Sequence, residues 1–208
     1  MILGFIGTGN IVSDVITGIS KSKISYKKII ISPRNKKKAK YLKKKFKKVI
    51  IAKNNQAVID MSNWIFLGVL PQVGEKILPK LNFKKNQIII SFMSSPNHSR
   101  LKKLIQKKCI IVRVIPMPPI RIGKGPVVIF PSNKKIKNFF DKIGTTIMVN
   151  NEKLSKNFWA VSGTMASFYE LLNVLSNWLI KKKINKLDAQ KYVTFLYSAL
   201  ADLAAINS

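Results

Sequence analysis

A glycine-rich turn near the start of the chain has the residue types and spacing that bind phosphate. The hydrophobic run Ile2 to Ile6 leads into Gly7-Thr8-Gly9-Asn10, and a helix-like stretch follows. In such a strand-to-helix turn, the first glycine permits the tight turn and the second lets backbone amides approach a pyrophosphate. Val12 departs from the usual Gly or Ala that allows close helix-to-strand packing. The pattern predicts a dinucleotide site, with a merely structural turn as the alternative.

The residues after the second predicted strand indicate which dinucleotide this is. NAD sites usually carry an acidic residue there, which accepts hydrogen bonds from the ribose hydroxyls. The corresponding stretch, Ile31 to Lys36, contains no carboxylate. Ser32, Arg34 and Lys36 instead offer a hydroxyl, a guanidinium and an ammonium, which suit a 2′-phosphate. We predict NADP(H), with the alternative that Ser32 and Arg34 only cap the next helix.

Few other side chains are of a type that does acid–base or metal chemistry. Glu170 is the single carboxylate of a long C-terminal helix, so it is a candidate proton donor, with capping or lysine pairing as the alternative. His98, the sole histidine, is expected to face solvent at a helix start. Arg113 is expected to bind backbone or a helix end, and Cys109 to be a buried structural thiol. One histidine and one cysteine far apart predict no metal site.

The elements that position these residues follow from the apolar runs. Their continuous Ile, Val and Leu character predicts strands buried on both faces, as in a mainly parallel sheet covered by helices. We predict an α/β fold, a Rossmann-type sheet domain over residues 1–151, followed by a small all-α dimerisation domain over residues 152–208. The predicted strands are Ile2 to Ile6, Ile29 to Ile31, Val49 to Ile51, Trp64 to Val69, Gln87 to Phe92 and Ile110 to Val114, with Val127 to Phe130 and Thr145 to Val149 extending the sheet around a helix from Lys134 to Ile143.

The C-terminal part is rich in apolar residues but has little core of its own. One uninterrupted helix is predicted from Leu154 to Ile180, apolar on nearly every face and therefore buried, and a second from about Lys186 to Ile206. Polar residues interrupt the first helix too often for a membrane span. We expect a homodimer held by Phe158 to Leu179 together with Tyr192 to Leu203. The alternative is enclosure of the helix within one subunit.

The charge of the chain is strongly unbalanced, at +30. A basic surface attracts polyanions, yet only four of the 38 basic residues are arginine, and lysine, isoleucine and asparagine share A- and T-rich codons. Codon bias with a solvated lysine face is the interpretation we favour, and attraction of a polyanion is the alternative. We predict neither a specific nucleic-acid partner nor a membrane partner. Since no secretory signal precedes the first strand, we expect the protein in the cytoplasm.

Four stretches carry a resemblance to a known family. They are Gly4-Phe5-Ile6-Gly7-Thr8-Gly9-Asn10, Ser32-Pro33-Arg34-Asn35, Trp64 to Gln72, and Arg113-Val114-Ile115-Pro116. With them the chain resembles the pyrroline-5-carboxylate reductases, NAD(P)H-dependent enzymes of the last step of proline synthesis. Leu70 and Met117 stand where the family has lysine and asparagine, and Ser162-Gly163-Thr164-Met165-Ala166 replaces a Gly-Ser-Gly-Pro-Ala helix start. Members continue through helices with a Gly-Gly-Thr-Thr segment of the substrate pocket, so we expect an incomplete substrate site here.

The resemblance implies an NADPH-dependent reductase that transfers a hydride to a small cyclic imine. The alternatives are a cofactor-binding module without reductase activity and a ketone or hydroxyacid dehydrogenase. Ser94 and Ser95 follow a late strand and are expected near the nicotinamide, because open α/β sheets bind ligands at such ends. Thr164 and Glu170 are the catalytic candidates. The expected cofactor-binding residues are Gly7, Thr8, Gly9, Asn10, Ile11, Ser32, Arg34, Asn35, Lys36, Asn55, Val69, Leu70, Pro71, Gln72, Met93 and Pro116.

Overall fold

The chain forms two compact units, Met1–Lys156 and Asn157–Ser208. The structure, a computed structural model, describes residues 1–106 and 108–206. The domain division predicted from the sequence, at residue 151, stays a prediction.

The first unit is built on an eight-stranded sheet with the order β3-β2-β1-β4-β5-β6-β7-β8. All neighbouring strands run parallel except β6 and β7, which are antiparallel. The predicted Rossmann-type, mainly parallel sheet is therefore confirmed. The strands are β1 Ile2–Ile6, β2 Lys28–Ile31, β3 Val49–Ile51, β4 Trp64–Leu67, β5 Ile88–Ser91, β6 Ile110–Pro116, β7 Pro126–Phe130 and β8 Thr145–Met148.

Helices connect the strands and cover both faces of the sheet. Two short 3-10 turns, Leu78–Lys80 and Pro118–Ile122, complete the connections. The helices of this unit are α1 Asn10–Lys21, α2 Lys36–Lys45, α3 Asn55–Asp60, α4 Pro71–Ile77, α5 His98–Ile105 and α6 Lys134–Phe140, and α7 Glu152–Ser162 begins in this unit and ends in the next.

Two apolar clusters lie on opposite faces of the sheet because successive strand residues point to opposite sides. On β4, for example, Trp64 and Phe66 belong to one cluster and Ile65 and Leu67 to the other. The rings of Phe5 and Phe66 stack with centroids 4.4 Å apart in the first cluster. Burial on both faces explains why these strands are continuous apolar runs instead of alternating ones.

The close approach of α1 to the sheet depends on Val12 and Gly68. A Cβ added to Gly68 would overlap Val12 Cγ2. The small residue that normally sits at the helix position is thus moved to the end of the facing strand. The departure at Val12 does not weaken the motif, since the glycine across the contact provides the room.

Two helices form where the sequence predicted a single long one. The expected helix from Leu154 to Ile180 is interrupted, since α7 ends at Ser162 and α8 spans Met165–Lys181. The Gly163 N–H donates to both Trp159 O and Ala160 O, and the Thr164 N–H and hydroxyl both donate to Val161 O. Glycine disfavours the helix interior by about 1 kcal/mol, and these tight turn bonds end it there.

The following helix, α9 Lys186–Ile206, lies where the sequence predicted it. Many apolar side chains of α8 are exposed, with Val174 at 54% and Trp178 at 56% of full exposure. These exposures lend no support to enclosure of this helix within one subunit, the alternative considered from the sequence. Among the described residues, no helix is both long enough and apolar enough to cross a membrane.

Candidate functional site

A cleft of about 620 Å³ opens at the carboxyl ends of β1, β2 and β4. The strand order reverses between β1 and β4, and open α/β sheets bind ligands at such a switch point. The volume lies within the usual range of small-molecule sites. The lining residues are Gly7, Thr8, Gly9, Arg34, Asn35, Lys36, Gly68, Val69, Leu70 and Val73.

The glycine loop after β1 is held by residues distant in sequence. Gly7 has φ of +99°, and a Cβ there would lie 2.5 Å from the Gly68 carbonyl oxygen, so glycine is required. The Gly7 N–H donates to Ser32 Oγ at 2.9 Å. A Cβ at Gly9 would meet nothing within 4 Å. The loop is therefore anchored at Gly7 and has open space at Gly9, where a phosphate group can approach the backbone.

The start of α1 lacks the side-chain cap that most helix starts around the sheet have, and among the described helices α4, which begins after Leu70, lacks one as well. Asn side chains cap α2, α3, α5 and α6, whereas α1 begins at Gly9 with no side-chain cap. Thr8 lines the cleft, and its buried hydroxyl has no hydrogen-bond partner among the described residues. Uncapped helix N–H groups and an unused hydroxyl are the donors that a pyrophosphate needs. The loop therefore fits a dinucleotide.

The far end of the cleft is cationic. Arg34 and Lys36 line it, and the lining contains no carboxylate. Lys38 Nζ donates to Asn10 Oδ1, which brings a third cation to the start of α1. The Lys38 N–H donates to Asn35 Oδ1 at 3.1 Å, so Asn35 caps α2. The alternative that Ser32 and Arg34 only cap this helix is therefore wrong.

One carboxylate, Asp14 on α1, lies near these cations. Burial raises the pKa of Asp14 above its usual value, and the positive charges of Arg121 and Lys38 offset only part of that rise. The half-buried carboxylate is thus flanked by the helix α2 and by the turn Pro118–Ile122.

The structure brings half of the predicted cofactor residues together in this cleft. Gly68 and Val73 were missed, although a glycine at the end of a buried strand was a signal for the first and the sequence offered none for the second. Ser32 is 1% exposed beneath the loop, where its hydroxyl accepts from Gly7. The predicted residues in the cleft are Gly7, Thr8, Gly9, Arg34, Asn35, Lys36, Val69 and Leu70, and those outside its lining are Asn10, Ile11, Ser32, Asn55, Pro71, Gln72, Met93 and Pro116.

Arg113 and His98 form contacts beside the ends of β5 and β6. Arg113 is 6% exposed, donates to two backbone carbonyls and pairs with Glu152 at the start of α7, which confirms the structural role predicted for it. His98 is half-buried, with Nε2 2.9 Å from Ile111 O, so the prediction that it faces solvent is wrong. The ring of His98 is held by strand β6, to which Ile111 belongs. Cys109 is half-buried, not fully buried, and its thiol contacts Lys84 O.

The two catalytic candidates lie in the second unit. The Thr164 hydroxyl donates to Val161 O at 2.7 Å, and Glu170 Oε2 accepts from Asn173 Nδ2 at 3.5 Å on α8. Both side chains are exposed. Their catalytic roles stay predictions. Within the described ranges, no group of three or more His, Cys, Asp or Glu residues is arranged to hold a metal.

Comparison with known proteins finds the chain similar to NAD(P)-dependent reductases. The family described as "NADP oxidoreductase coenzyme F420-dependent" matches residues 2–95. A pyrroline-5-carboxylate reductase of Haemophilus influenzae is 26% identical over 202 residues, which cover 92% of this chain and 74% of that protein. Four further relatives with the same name are 24% to 27% identical, and the chain covers between 64% and 66% of their length.

Solved structures share the fold. The 1-pyrroline-5-carboxylate reductase of Streptococcus pyogenes superposes with a TM-score of 0.79 at 24% identity, over all of this chain and 80% of the other. The pyrroline carboxylate reductase of Plasmodium falciparum, solved with NADP bound, gives a TM-score of 0.80 at 18% identity, over 98% and 78%. Together these matches confirm the resemblance predicted from the sequence and support a nicotinamide cofactor.

Proposed function

Since this chain is an NAD(P)H-dependent oxidoreductase similar to the pyrroline-5-carboxylate reductases, we propose that it transfers a hydride from NADPH to a small cyclic imine. Pyrroline-5-carboxylate is the first candidate substrate. The observation that carries the proposal is the start of α1, where an uncapped helix end and the unpartnered Thr8 hydroxyl meet a cationic cleft.

The preference for NADPH over NADH rests on the charges after β2. A 2′-phosphate brought near Arg34 and Lys36 would meet two cations and no carboxylate in the lining of the cleft. The guanidinium can bind two phosphate oxygens at once, and charge-assisted hydrogen bonds contribute about 1.5 to 3 kcal/mol each. The ribose hydroxyl of NADH has no acidic acceptor at that position.

The proposed hydride transfer requires little from the protein beyond alignment of the nicotinamide with the imine carbon. The bound cofactor supplies the hydride, and the substrate arrives as a protonated imine. The protein would bind the pyrophosphate at Thr8 and Gly9 and would orient the nicotinamide toward the imine carbon. Thr164 and Glu170 are kept as candidates for contact with the substrate. A location in the cytoplasm also stays a prediction from the sequence.

We further propose that the chain works as a homodimer joined through α8 and α9. The apolar side chains left exposed on these helices support a twofold contact. They include Leu171, Val174 and Trp178 on α8 and Tyr192, Phe195 and Leu203 on α9.

Steady-state oxidation of NADPH with pyrroline-5-carboxylate tests the reaction directly. We expect turnover with NADPH and weaker saturation with NADH. The absence of turnover with both cofactors, in a protein that binds NADPH, would instead favour the cofactor-binding module considered from the sequence.

Arg34→Ala tests the selectivity. We expect NADPH to bind about ten- to a hundredfold more weakly, with NADH affinity unchanged, because only the 2′-phosphate loses its partner. Lys44→Ala is the matched control, since it removes one exposed charge from α2, the helix that follows Arg34, outside the lining of the cleft. Calorimetric titration measures both affinities. Equal affinities of the unaltered protein for the two cofactors would contradict the assignment.

A further inference from the structure

A partly buried cluster, in which Arg113 is buried and Glu152 and His98 are half-buried, holds the loop that follows β5. It consists of Arg113, Glu152 and His98, and we name it the Arg113 clamp. We propose that the Arg113 clamp is a positioning device for the nicotinamide end of the cleft. The proposal rests on the proposed function, because only a reaction at that end makes the placement of this loop matter.

Arg113 joins the loop to strand β6. Its Nη2 donates to Met93 O at 3.1 Å and to Ser94 O at 2.5 Å, so one guanidinium binds two successive carbonyls. Its Nη1 donates to Glu152 Oε1. A lysine cannot reproduce this planar set of three bonds, because its three N–H donors radiate from one nitrogen instead of lying in the plane of a guanidinium. The position therefore calls specifically for arginine.

Glu152 receives a second bond from the other end of the same loop. The His98 backbone N–H donates to Glu152 Oε1 at 3.0 Å, and the carboxylate lies in the first turn of α7. The His98 ring is held as well, with Nε2 on Ile111 O and its edge toward Phe130 at 5.4 Å between centroids. Both ends of the segment from residue 93 to 98 are thus tied to the clamp.

The loop in turn touches the helix that borders the cleft. The Met93 side chain lies against Gly74 of α4, where an added Cβ would come within 2.5 Å of Met93 Sδ. The helix α4 begins directly after Leu70, a residue of the cleft lining. A shift of the loop therefore displaces either Met93 or α4, whose residue Val73 lines the cleft beside Leu70. Ser94, in the same loop, was predicted to lie near the nicotinamide.

Stability alone does not account for such a cluster. A buried ion pair contributes little more than well-packed apolar side chains of the same volume, because desolvation offsets the attraction. Beyond packing, the guanidinium provides directional hydrogen bonds, which define the positions of the Met93 and Ser94 carbonyls at once. The clamp is thus suited to keep the segment from residue 93 to 98 in one position.

The test compares Arg113→Lys and Glu152→Gln with the control Val114→Ala. Val114 is a buried neighbour on the same strand, so its truncation destabilises β6 without touching the loop. Hydrogen exchange of the backbone amides of Ser94, Ser95, Asn97 and His98, with those of β1 as the internal reference, reports the loop in the full-length protein. Steady-state kinetics with NADPH and pyrroline-5-carboxylate reports kcat and KM separately.

We expect both clamp variants to exchange the loop amides faster and to lose about ten- to a hundredfold in kcat, since small misplacements of reacting groups cost that much. The KM for NADPH should change less than about threefold, and Val114→Ala should keep slow loop exchange and kcat. Unchanged loop exchange in both variants, or the same kcat loss in Val114→Ala, overturns the proposal. If the unaltered protein turns over no substrate, the proposed function fails, and loop exchange alone decides whether the clamp holds the loop.

Discussion

At the scale of single residues, the contact between Val12 and Gly68 shows how a motif survives a substitution. The helix and the strand need one small residue between them, and either side of the contact can supply it. This chain has valine on the helix and glycine on the strand, a pairing of residues far apart in sequence.

Gly68→Ala should therefore destabilise the protein by about 1 to 3 kcal/mol, because the new methyl group overlaps Val12. Combining it with Val12→Ala removes the overlap, so the double variant should be more stable than the sum of the two single effects predicts. Urea unfolding of all four proteins measures the coupling. Additive effects would show that the two residues do not compete for the same space.

The half-buried carboxylate of Asp14 makes the stability of the protein depend on pH. Burial raises its pKa in the folded protein, so the ionised carboxylate is less favourable there than in the unfolded chain. When the pKa of an acid is higher in the folded protein than in the unfolded chain, the protonated acid stabilises the fold at pH values below the unfolded pKa. This stabilisation is lost as the pH rises through the pKa of the folded protein. The free-energy cost of holding the ionised Asp14 carboxylate in the fold is therefore fully present at neutral pH.

Asp14→Asn should accordingly raise the urea midpoint at pH 7 and leave it unchanged below about pH 3.8, the ordinary value for this group. Glu75→Gln, at an exposed carboxylate of α4, is the control and should show no such pattern. A lower midpoint for Asp14→Asn at pH 7 would mean that attraction to Arg121 and Lys38 outweighs burial.

At the scale of elements, α8 presents two different faces to solvent. Leu171, Val174 and Trp178 follow one another at helical spacing on an apolar row, while Glu170, Asn173 and Asn177 form a polar row beside it. A protein that exposes such a row in one copy usually covers it in an assembly.

Val174→Glu should convert the proposed dimer to monomers, since the charge would lose its hydration in a twofold contact. Asn177→Glu places the same charge on the neighbouring polar row and should leave the mass unchanged. Light scattering at micromolar concentration, with NADPH present, measures the mass. A monomeric mass for the unaltered protein rules the dimer out.

At the scale of the whole molecule, the charge of +30 sets the conditions for stability. The described residues contain two ion pairs, Arg113 with Glu152 and Lys137 with Asp141. Eight carboxylates cannot pair 38 cations, so most basic side chains repel one another across the surface. Salt screens such repulsion over about 8 to 10 Å at physiological strength.

The melting temperature should therefore rise between 10 and 300 mM NaCl, by roughly 2 to 4 °C for each kcal/mol of repulsion relieved. Sucrose at equal osmolality is the control for effects unrelated to charge, and calorimetry provides the measurement. A melting temperature that stays constant or falls with salt would show that the lysines are spaced widely enough not to interact.

Local sequence was enough to predict the strands, the glycine turn and the cationic stretch after β2, because each depends on neighbouring residues through periodicity, turn chemistry or charge. It could not determine that Ser32 lies beneath Gly7, that Gly68 makes room for Val12, or that Glu152 bonds to both His98 and Arg113. Such contacts join residues between 25 and 56 positions apart, and they exist only once strand order and register bring those positions together. The exposure of α8 also belongs to the tertiary structure, since an apolar pattern predicts a surface to be covered without saying what covers it. The break at Gly163, by contrast, follows from the local preference of glycine against a helix interior.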